Sequence, residues 1–334
     1  MKKAAILGGG GWGTALSMLL HEKGVNVSVW EFDREQCERV KKNRRNEKFL
    51  PGVEIPKEIA FASNLPEVLG GAEYVVFVVP SQTLRGVARQ VAVIHPKKPV
   101  IVCATKGIEN GSLMRMSEVL KDELPQGLGK RVAVLVGPSH AEEVARKIPT
   151  TVVASSTDEK IAADVQTLFM GASFRVYTNS DMVGVELGVS LKNIIAIAAG
   201  ICDGLGYGDN TKGALLTRGL AEIARLGVTL GAKRETFAGL AGVGDLVTTC
   251  ISRHSRNRHV GEEIAKGKTL ERITSEMVMV AEGVPTTKAA VDLAKRHKVD
   301  MPIAQEVYNV LFERKPPREA IRQLMMREPK PEVW

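Results

Sequence analysis

The sequence predicts an α/β fold in which a doubly wound parallel sheet is followed by an all-α domain. Short apolar segments alternate with helical patterns through the first half, and a glycine-rich turn follows the first segment. Beyond residue 180 the apolar residues recur at helical spacing and convincing strands are scarce. We therefore divide the chain into residues 1–180 and 181–334.

Five predicted strands are rich in β-branched residues and nearly continuous in hydrophobicity, as strands buried on both faces of a parallel sheet are. They span residues 4–7, 25–30, 74–79, 100–104 and 132–136. A helix over residues 14–23, closed by Gly24, separates the first two strands. In the second half, helices are expected over residues 183–201, 215–230, 246–251, 289–296 and 303–312. The tail from residue 327 is expected to pack loosely.

Composition limits the classes of partner. The formal net charge of +8 favours anionic ligands, but aromatic residues make up only 4%, too few for the stacking surfaces of a nucleic-acid binder. The four cysteines are far apart and lack metal-like spacing, which predicts reduced thiols and no metal. No secretory signal and no run of about 18 apolar residues is present, so we expect a cytoplasmic protein without a membrane span.

The first motif is the turn after the first strand. Gly8, Gly10 and Gly13 form a G-x-G-x-x-G pattern between that strand and a helix. Glycines at this spacing permit a tight turn and close approach of a pyrophosphate to the helix N-terminus. The pattern predicts a dinucleotide site.

The end of the second strand bears on the choice of cofactor. Glu31 and Asp33 follow it, and a carboxylate there accepts hydrogen bonds from the ribose hydroxyls of NAD. Arg34, or the basic run from Lys41, could instead meet the 2′-phosphate of NADP. Asp33 could equally be a helix N-cap.

Polar residues also follow the later strands, where ligands bind in open α/β sheets. They are Pro80-Ser81-Gln82, Thr105-Lys106-Gly107 and Gly137-Pro138-Ser139-His140.

A second constellation lies in the helical half. Lys192 and Asn193 interrupt an apolar helix, where an unpaired ammonium would be costly. The lysine either reaches solvent, pairs with Glu186, or lines a pocket in which a lowered pKa lets it donate a proton to an alkoxide. Asp245 lies in the glycine-rich segment GLAGVGDLVTTC, which can hold a carboxylate in place.

The segment SRHSRNRHVG supplies donors for an oxyanion. In it, Ser255, Arg256 and Asn257 suit a phosphate, whereas Arg253 and Arg258 are equally well explained as solvated residues. The two histidines are five residues apart, which does not place them on one helix face for a metal.

With these motifs in place, the chain resembles the soluble bacterial NAD(P)-dependent glycerol-3-phosphate dehydrogenases over nearly its whole length. The matching segments are GGGGWGTAL, FVVPSQ, ATKGIE, VGPSHAEEVA, FRVYTNSDMVGVELGVSLKNIIAIAAGICDGLGYGDNTK, LTRGLAEIARLG, AGVGDLVTTC, SRNR and AEGVPTT.

The resemblance implies a Rossmann-like cofactor domain, a helical substrate-binding and catalytic domain, and reversible reduction of dihydroxyacetone phosphate to sn-glycerol 3-phosphate for phospholipid synthesis. It implies Lys192 as the catalytic proton donor and acceptor. The implied substrate contacts are Lys106, Gly137, Ser139, Lys192, Asp245, Ser255, Arg256 and Asn257. The implied contacts to NAD or NADP are Trp12, Lys106, Ala141, Arg256, Val280 and Glu282. They join Gly8, Gly10, Gly11 and Gly13 of the glycine turn and Phe32 after the second strand as predicted cofactor contacts.

Two positions depart from the family. Gly11 stands where many bacterial members have serine, and Phe32 stands near where many have arginine or histidine for the 2′-phosphate of NADPH. A strict preference for NADPH is therefore not expected. Alternatives are a related reductase acting on a hydroxy acid or a ketopantoate-like substrate, an NAD(H)-sensing regulator, and a nucleic-acid binder. We expect a small-molecule substrate and a homodimer, without nucleic acid.

Overall fold

The computed structural model describes residues 2–94, 98–329 and 331–332, so part of the predicted loose tail lies outside it. The strands among the described residues are β1 (Lys3–Leu7), β2 (Asn26–Trp30), β3 (Arg45–Asn46), β4 (Leu50–Glu54), β5 (Ala60–Ala62), β6 (Tyr74–Phe77), β7 (Val100–Cys103), β8 (Val132–Val136), β9 (Thr150–Ser156) and β10 (Phe174–Asn179).

The sheet that these strands build is mixed rather than fully parallel. Eight described strands follow the order β10-β9-β8-β7-β6-β1-β2-β5, and β3 and β4 form a separate antiparallel pair. All neighbours in the large sheet are parallel except β8 and β9. The chain between them, residues 137–149, contains one short helix, so it returns along the same sheet edge instead of crossing a face.

Helices cover both faces of the sheet. They are α1 (Gly11–Glu22), α2 (Arg34–Asn43), α3 (Leu65–Leu69), α4 (Leu84–Ile94), α5 (Met116–Glu123), α6 (Gln126–Gly129), α7 (Ala141–Ala145) and α8 (Glu159–Phe169). Along β1, Ala4 and Ile6 pack in one apolar cluster while Ala5 and Leu7 pack in another. This two-sided burial explains why the predicted strands are continuously hydrophobic.

From Met182 onward the described chain is helical. Its helices are α9 (Met182–Gly204), α10 (Asp209–Thr229), α11 (Asp245–Ile251), α12 (Arg256–Ala265), α13 (Leu270–Glu276), α14 (Gly283–His297), α15 (Pro302–Phe312) and α16 (Pro317–Met325). Short 3₁₀ and π turns precede α11. By length and apolar composition α9 could cross a membrane, but its most apolar window is entirely buried inside the protein, which is typical of a core helix.

The five predicted strands are present with their ends shifted by at most two residues, and the predicted helices are also present. However, α10 and α14 each begin six residues before the predicted starts at 215 and 289. The sequence analysis did not predict β5 at one end of the sheet, β9 and β10 at the other end, or the separate β3–β4 pair. The predicted stop at Gly24 is also seen: Gly24 has a φ of +74°, and its amide and that of Val25 bond back to the end of α1.

Two glycines allow α9 and α12 to pack with their backbones in contact. A Cβ on Gly200 would lie 1.9 Å from the carbonyl oxygen of Arg258, and one on Gly261 would lie 2.0 Å from that of Ile197. This close packing fixes the start of α12, and hence residues 255–257, against the middle of α9.

We predict that Gly261→Ala lowers the free energy of unfolding by about 2 kcal/mol or more, because the helices must separate to admit the methyl group. The control is Gly213→Ala in the exposed part of α10, where a Cβ would meet nothing within 4 Å. That change should stabilise the protein by about 0.5–1 kcal/mol through helix propensity. Urea denaturation of both variants measures the difference, and equal effects would contradict the packing argument.

Candidate active site

The glycine turn is shaped to admit a ligand. Gly8 has a φ of +122°, and a Cβ on Gly13 would lie 1.9 Å from the Gly8 carbonyl oxygen, whereas a Cβ on Gly10 would meet nothing within 4 Å. The Asn46 side chain stabilises the turn by donating hydrogen bonds to the Gly9 carbonyl and to Thr14 Oγ1, both at 2.8 Å. The open side at Gly10 and the N-terminus of α1 therefore fit a pyrophosphate.

Three of the residues implied for the cofactor flank this turn. A Cβ on Gly11 would lie 3.6 Å from the Cβ of Ala141, the first residue of α7, and 2.6 Å from the carbonyl oxygen of Phe49. Trp12 packs partly buried against the core, with its ring centroid 6.5 Å from that of Phe174. The structure thus brings Gly11 and Ala141 together at the mouth of the turn and leaves no room for a larger residue at position 11 without a shift.

The two carboxylates after β2 are already engaged. Asp33 caps α2 by accepting a hydrogen bond from the Gln36 amide at 3.1 Å, so the N-cap alternative is the one observed. The buried Glu31 accepts from the Asp33 amide at 3.0 Å. Phe32 points outward with 78% of its surface exposed. It directly follows β2, the second strand from one end of the sheet.

Lys192 lies in a largely buried charge cluster where the sheet half meets the helical half, a junction that we call the cleft. Its Nζ donates to Asp245 Oδ1 at 2.9 Å, and the Nζ of Lys106 donates to Asp245 Oδ2 at 2.8 Å. Lys106 also donates to the Gly137 carbonyl at 2.8 Å, and Ser139 Oγ donates to the same carbonyl at 3.0 Å. Asp245 of α11 is therefore joined to α9 through Lys192 and to the end of β7 through Lys106. The end of β8 belongs to the same cluster because its Gly137 carbonyl accepts from Lys106.

The alternative pairing of Lys192 with Glu186 is not observed. Glu186 instead accepts from the amide and the hydroxyl of Ser117, at 2.8 and 2.6 Å, and pairs with Arg115. Lys192 is only 4% exposed, so it does not reach solvent along the helix either. The carboxylate that pairs with Lys192 is therefore Asp245 rather than Glu186.

Burial sets the protonation behaviour of the cluster. Loss of hydration, reinforced by the Lys106 ammonium, outweighs the attraction of Asp245 and lowers the pKa of Lys192 to about 8. Burial works against the charge of Asp245 too, but the two ammonium groups outweigh it and hold the pKa of this carboxyl below its usual value. Two cations and one anion leave a surplus positive charge, which suits an anionic ligand.

Residues 255–257 lie against α9 next to Lys192, and they differ in how many of their hydrogen-bonding groups are left without a partner. Ser255 caps α12 by accepting from the Arg258 amide at 3.2 Å. Asn257 donates to the Asn193 side chain at 2.9 Å and accepts from the Gly283 amide at 2.8 Å, so only one of its amide hydrogens remains. Arg256 is exposed.

The remaining cofactor residues join this segment. Arg256 donates to the Val280 carbonyl at 2.8 Å. Glu282 accepts from the amide of Ser81 at 2.9 Å and from its hydroxyl at 2.5 Å, which links the helical half to the end of β6. Of the neighbouring basic residues, Arg253 is exposed as expected. Arg258 is instead ion-paired with Asp203 at 2.6 Å rather than solvated.

Sequence reasoning gave no individual role to three residues in this region, of which His140 was named only as part of the polar segment after β8. The Lys192 ammonium also donates to Thr249 Oγ1, which donates to Asp245 Oδ1 at 3.2 Å. Ser190 Oγ bonds the amide and carbonyl of Gly107, at 3.0 and 3.2 Å. His140 faces the cluster from the end of β8. Thr249 follows Asp245 by one helical turn, a spacing that could have indicated it. Within the described ranges, no three His, Cys, Asp or Glu side chains are placed to hold a metal.

Comparison with known proteins decides the family. Residues 3–162 match the family model for the NAD-dependent glycerol-3-phosphate dehydrogenase N-terminus, and residues 181–322 match that for its C-terminus. The chain belongs to the glycerol-3-phosphate dehydrogenase family. The family is NAD(P)-dependent, so the chain is an oxidoreductase with a Rossmann-type fold.

Members of the glycerol-3-phosphate dehydrogenase family match along the whole chain. The glycerol-3-phosphate dehydrogenase [NAD(P)+] of Chlorobium chlorochromatii is 52% identical and covers 98% of both chains. That of Geobacter sulfurreducens is 50% identical over 100% of this chain and 99% of its own. The crystal structure of glycerol-3-phosphate dehydrogenase from Coxiella burnetii has a TM-score of 0.93 at 38% identity, over 98% of this chain and 99% of that one.

We predict that Thr249→Val lowers the pKa of Lys192 further, by about half to one unit, because the charged ammonium loses a buried acceptor. Thr249→Ser keeps the hydroxyl and is the control. Differential labelling of Lys192 with an amine reagent, followed across pH by mass spectrometry, measures this pKa. A Thr249→Val protein that titrates like the unchanged protein would contradict the contact.

Proposed function

We propose that this protein reduces dihydroxyacetone phosphate to sn-glycerol 3-phosphate with NADH or NADPH, reversibly, with Lys192 as proton donor. The observation that carries the proposal is the cluster in which Asp245 holds Lys192 and Lys106 at 2.9 and 2.8 Å. The cofactor supplies the hydride when bound. The residues of the chain have to bind and orient the ketone, stabilise the developing alkoxide and deliver a proton to it.

Lys192 suits the proton transfer. Its lowered pKa, about 8, places it near neutrality, where a general acid both holds its proton and releases it readily. Asp245 and Thr249 fix the ammonium in position, so that little reorganisation is needed when the alkoxide forms. Lys106 adds a second ammonium that stabilises the same negative charge.

The other end of the substrate is a phosphate, and Arg256 is its main proposed ligand. An exposed guanidinium can turn from the Val280 carbonyl to bind phosphate bidentately. Ser255 and the remaining amide hydrogen of Asn257 add neutral donors nearby. A hydroxy acid lacks a phosphate to engage these residues, so they support the phosphorylated substrate.

For the cofactor, we propose the residues around the glycine turn and the Glu282 link. They are Gly8, Gly10, Gly11, Trp12, Gly13, Phe32, Lys106, Ala141, Arg256, Val280 and Glu282. Because Asp33 is engaged as an N-cap and Arg34 is exposed beside it, the region is compatible with both a ribose hydroxyl and a 2′-phosphate. We propose that both nicotinamide cofactors are accepted.

Further proposals concern organisation. A boundary between residues 180 and 181 is supported by the change from strands to helices between Asn179 and Met182. A homodimer is supported by exposed apolar residues of the helical half such as Val247 and Ile251, and a sedimentation mass of two chains would test it.

A cytoplasmic enzyme that supplies glycerophospholipid synthesis fits four free, buried cysteines, and growth of a glycerol 3-phosphate auxotroph would test that supply.

We predict rapid, dihydroxyacetone-phosphate-dependent oxidation of NADH or NADPH, measured by absorbance. The kcat/KM for reduction should be constant at low pH and fall as pH rises through about 8, because Lys192 then loses the proton that it must donate. Oxidation of glycerol 3-phosphate should show the opposite slope. Lys192→Met should lower kcat by about 10³-fold or more and remove this pH limb.

Cofactor affinity is the control for Lys192→Met and should change little. No substrate-dependent oxidation by the unchanged protein would favour a sensor that binds NAD(H) without turnover. A Lys192→Met protein that keeps most of its activity would contradict the assigned proton donor.

We predict that Arg256→Ala raises KM for dihydroxyacetone phosphate by about 10- to 100-fold, the cost of losing a charged hydrogen bond of about 1.5–3 kcal/mol. Arg253→Ala, three residues away and exposed, is the matched control for net charge and should stay within about threefold. Steady-state kinetics at saturating cofactor measure both. If the two variants behave alike, general electrostatics rather than a specific phosphate contact is responsible.

A further inference from the structure

One side chain of the cleft has no part in the chemistry described so far. His140 is the residue before α7, directly after the Gly137-Pro138-Ser139 turn at the end of β8. Its ring centroid lies 5.8 Å from that of His254, with the ring planes at 50°. His254 immediately precedes Ser255 and Arg256, so the imidazole of His140 reaches from the sheet half to the proposed phosphate ligands.

The charged groups around His140 come from four elements. Lys192 of α9 and Lys106 after β7 act on it as cations, and Asp245 of α11 and Glu142 of α7 act as anions. Burial first, and then the two ammonium groups, lower the pKa of His140 below its usual value. The ring is therefore neutral at physiological pH, with one nitrogen as donor and the other as acceptor.

The Nε2 atom of this ring is buried and has no hydrogen-bond partner among residues 2–94, 98–329 and 331–332. A buried polar atom without a partner costs about 1–3 kcal/mol. The two neighbouring ammonium groups make their hydrogen bonds elsewhere, Lys106 to Asp245 and Gly137 and Lys192 to Asp245 and Thr249. Because they are donors only, neither can accept a hydrogen bond from Nε2–H. The cost is recovered if a ligand of the cleft supplies the missing partner.

We propose that Nε2–H of His140 donates a hydrogen bond to a phosphoryl oxygen of the bound substrate and so completes the phosphate subsite. This rests on the proposed function, since it requires a phosphate ester. His140 is a substrate-binding residue that lies outside the set implied by the family resemblance.

Two observations assign the phosphate rather than the carbonyl end of the substrate. Lys192, Lys106 and Asp245 already occupy the position for the carbonyl. The His140 ring lies 5.8 Å from that of His254, which directly precedes Ser255 and Arg256, so the imidazole lies beside the segment that carries the proposed phosphate ligands. A phosphate dianion offers three acceptor oxygens there, and a neutral N–H donor binds one without adding charge to a site that is already cationic.

The test compares His140→Phe, which keeps an aromatic ring without a donor, with His140→Gln, whose side-chain Nε2 can replace the donor. Steady-state kinetics use dihydroxyacetone phosphate and the unphosphorylated analogue dihydroxyacetone. We expect His140→Phe to raise KM for the phosphate ester about tenfold, as one lost hydrogen bond of about 1.4 kcal/mol requires, with kcat changed by less than about threefold. His140→Gln should stay within about threefold, and neither variant should change kcat/KM for dihydroxyacetone by more than that.

Nitrogen-15 NMR of the unchanged protein provides a second readout that does not depend on a variant folding. Addition of glycerol 3-phosphate should shift the Nε2 resonance of His140, and addition of glycerol should not. An unchanged KM in His140→Phe, an equal loss in both variants, an equal loss with both substrates, or an unmoved resonance would each overturn the proposal. Failure of the unchanged enzyme to use dihydroxyacetone phosphate would instead overturn the proposed function itself, so the two failures are distinguishable.

Discussion

The structure depends on one buried carboxylate shared by two ammonium groups, of which Lys192 is buried and Lys106 is half-buried. Asp245 is 1% exposed, and its two oxygens accept from Lys192 and Lys106, which belong to different halves of the chain. Burying any of these charges alone would cost several kcal/mol, so the three have to be buried together. The same contact therefore joins the sheet to the helices and places an acid beside the cleft. Stability and chemistry cannot be separated at this point, because the surplus charge that makes the cluster costly is also the charge that attracts an anion.

Small residues make this burial possible. A Cβ on Gly188 would lie 2.4 Å from the Ala241 carbonyl, so the segment before Asp245 lies directly against α9. Gly200 and Gly261 do the same where α12 crosses α9. Because backbone rather than side chain fills these contacts, the positions of Lys192, Asp245 and residues 255–257 follow from helix geometry and are not left to flexible loops. The glycines of the helical half thus have a function as specific as those of the nucleotide turn.

The sequence predicted the parts of the fold that repeat a strong local pattern. Buried strands such as β6 and β8 are continuous apolar runs, whereas β5 has three residues and β10 alternates, so neither gives a comparable signal. The reversal of β9 depends on how the connection after β8 packs, which no local pattern encodes. Lys192 was found because an ammonium in an apolar helix is anomalous in itself. His140 was found only as one member of a polar segment, and Ser190 was not found, since the role of a histidine or serine depends on neighbours in space that the sequence does not show.

The three polar residues at the start of α12 look equivalent in sequence, and the structure separates them. The Asn257 side-chain carbonyl accepts from the Gly283 amide, and one of its amide hydrogens bonds Asn193. Its first contribution is therefore to hold α14 and α9 against α12. The Ser255 hydroxyl oxygen accepts a hydrogen bond from the Arg258 amide and so caps its own helix. Arg256 alone has a charged group at the surface of the cleft, and its partner, the Val280 carbonyl, is neutral and easily exchanged for a phosphate. Phosphate affinity should therefore concentrate in Arg256, while Asn257 and Ser255 keep that guanidinium in the right place.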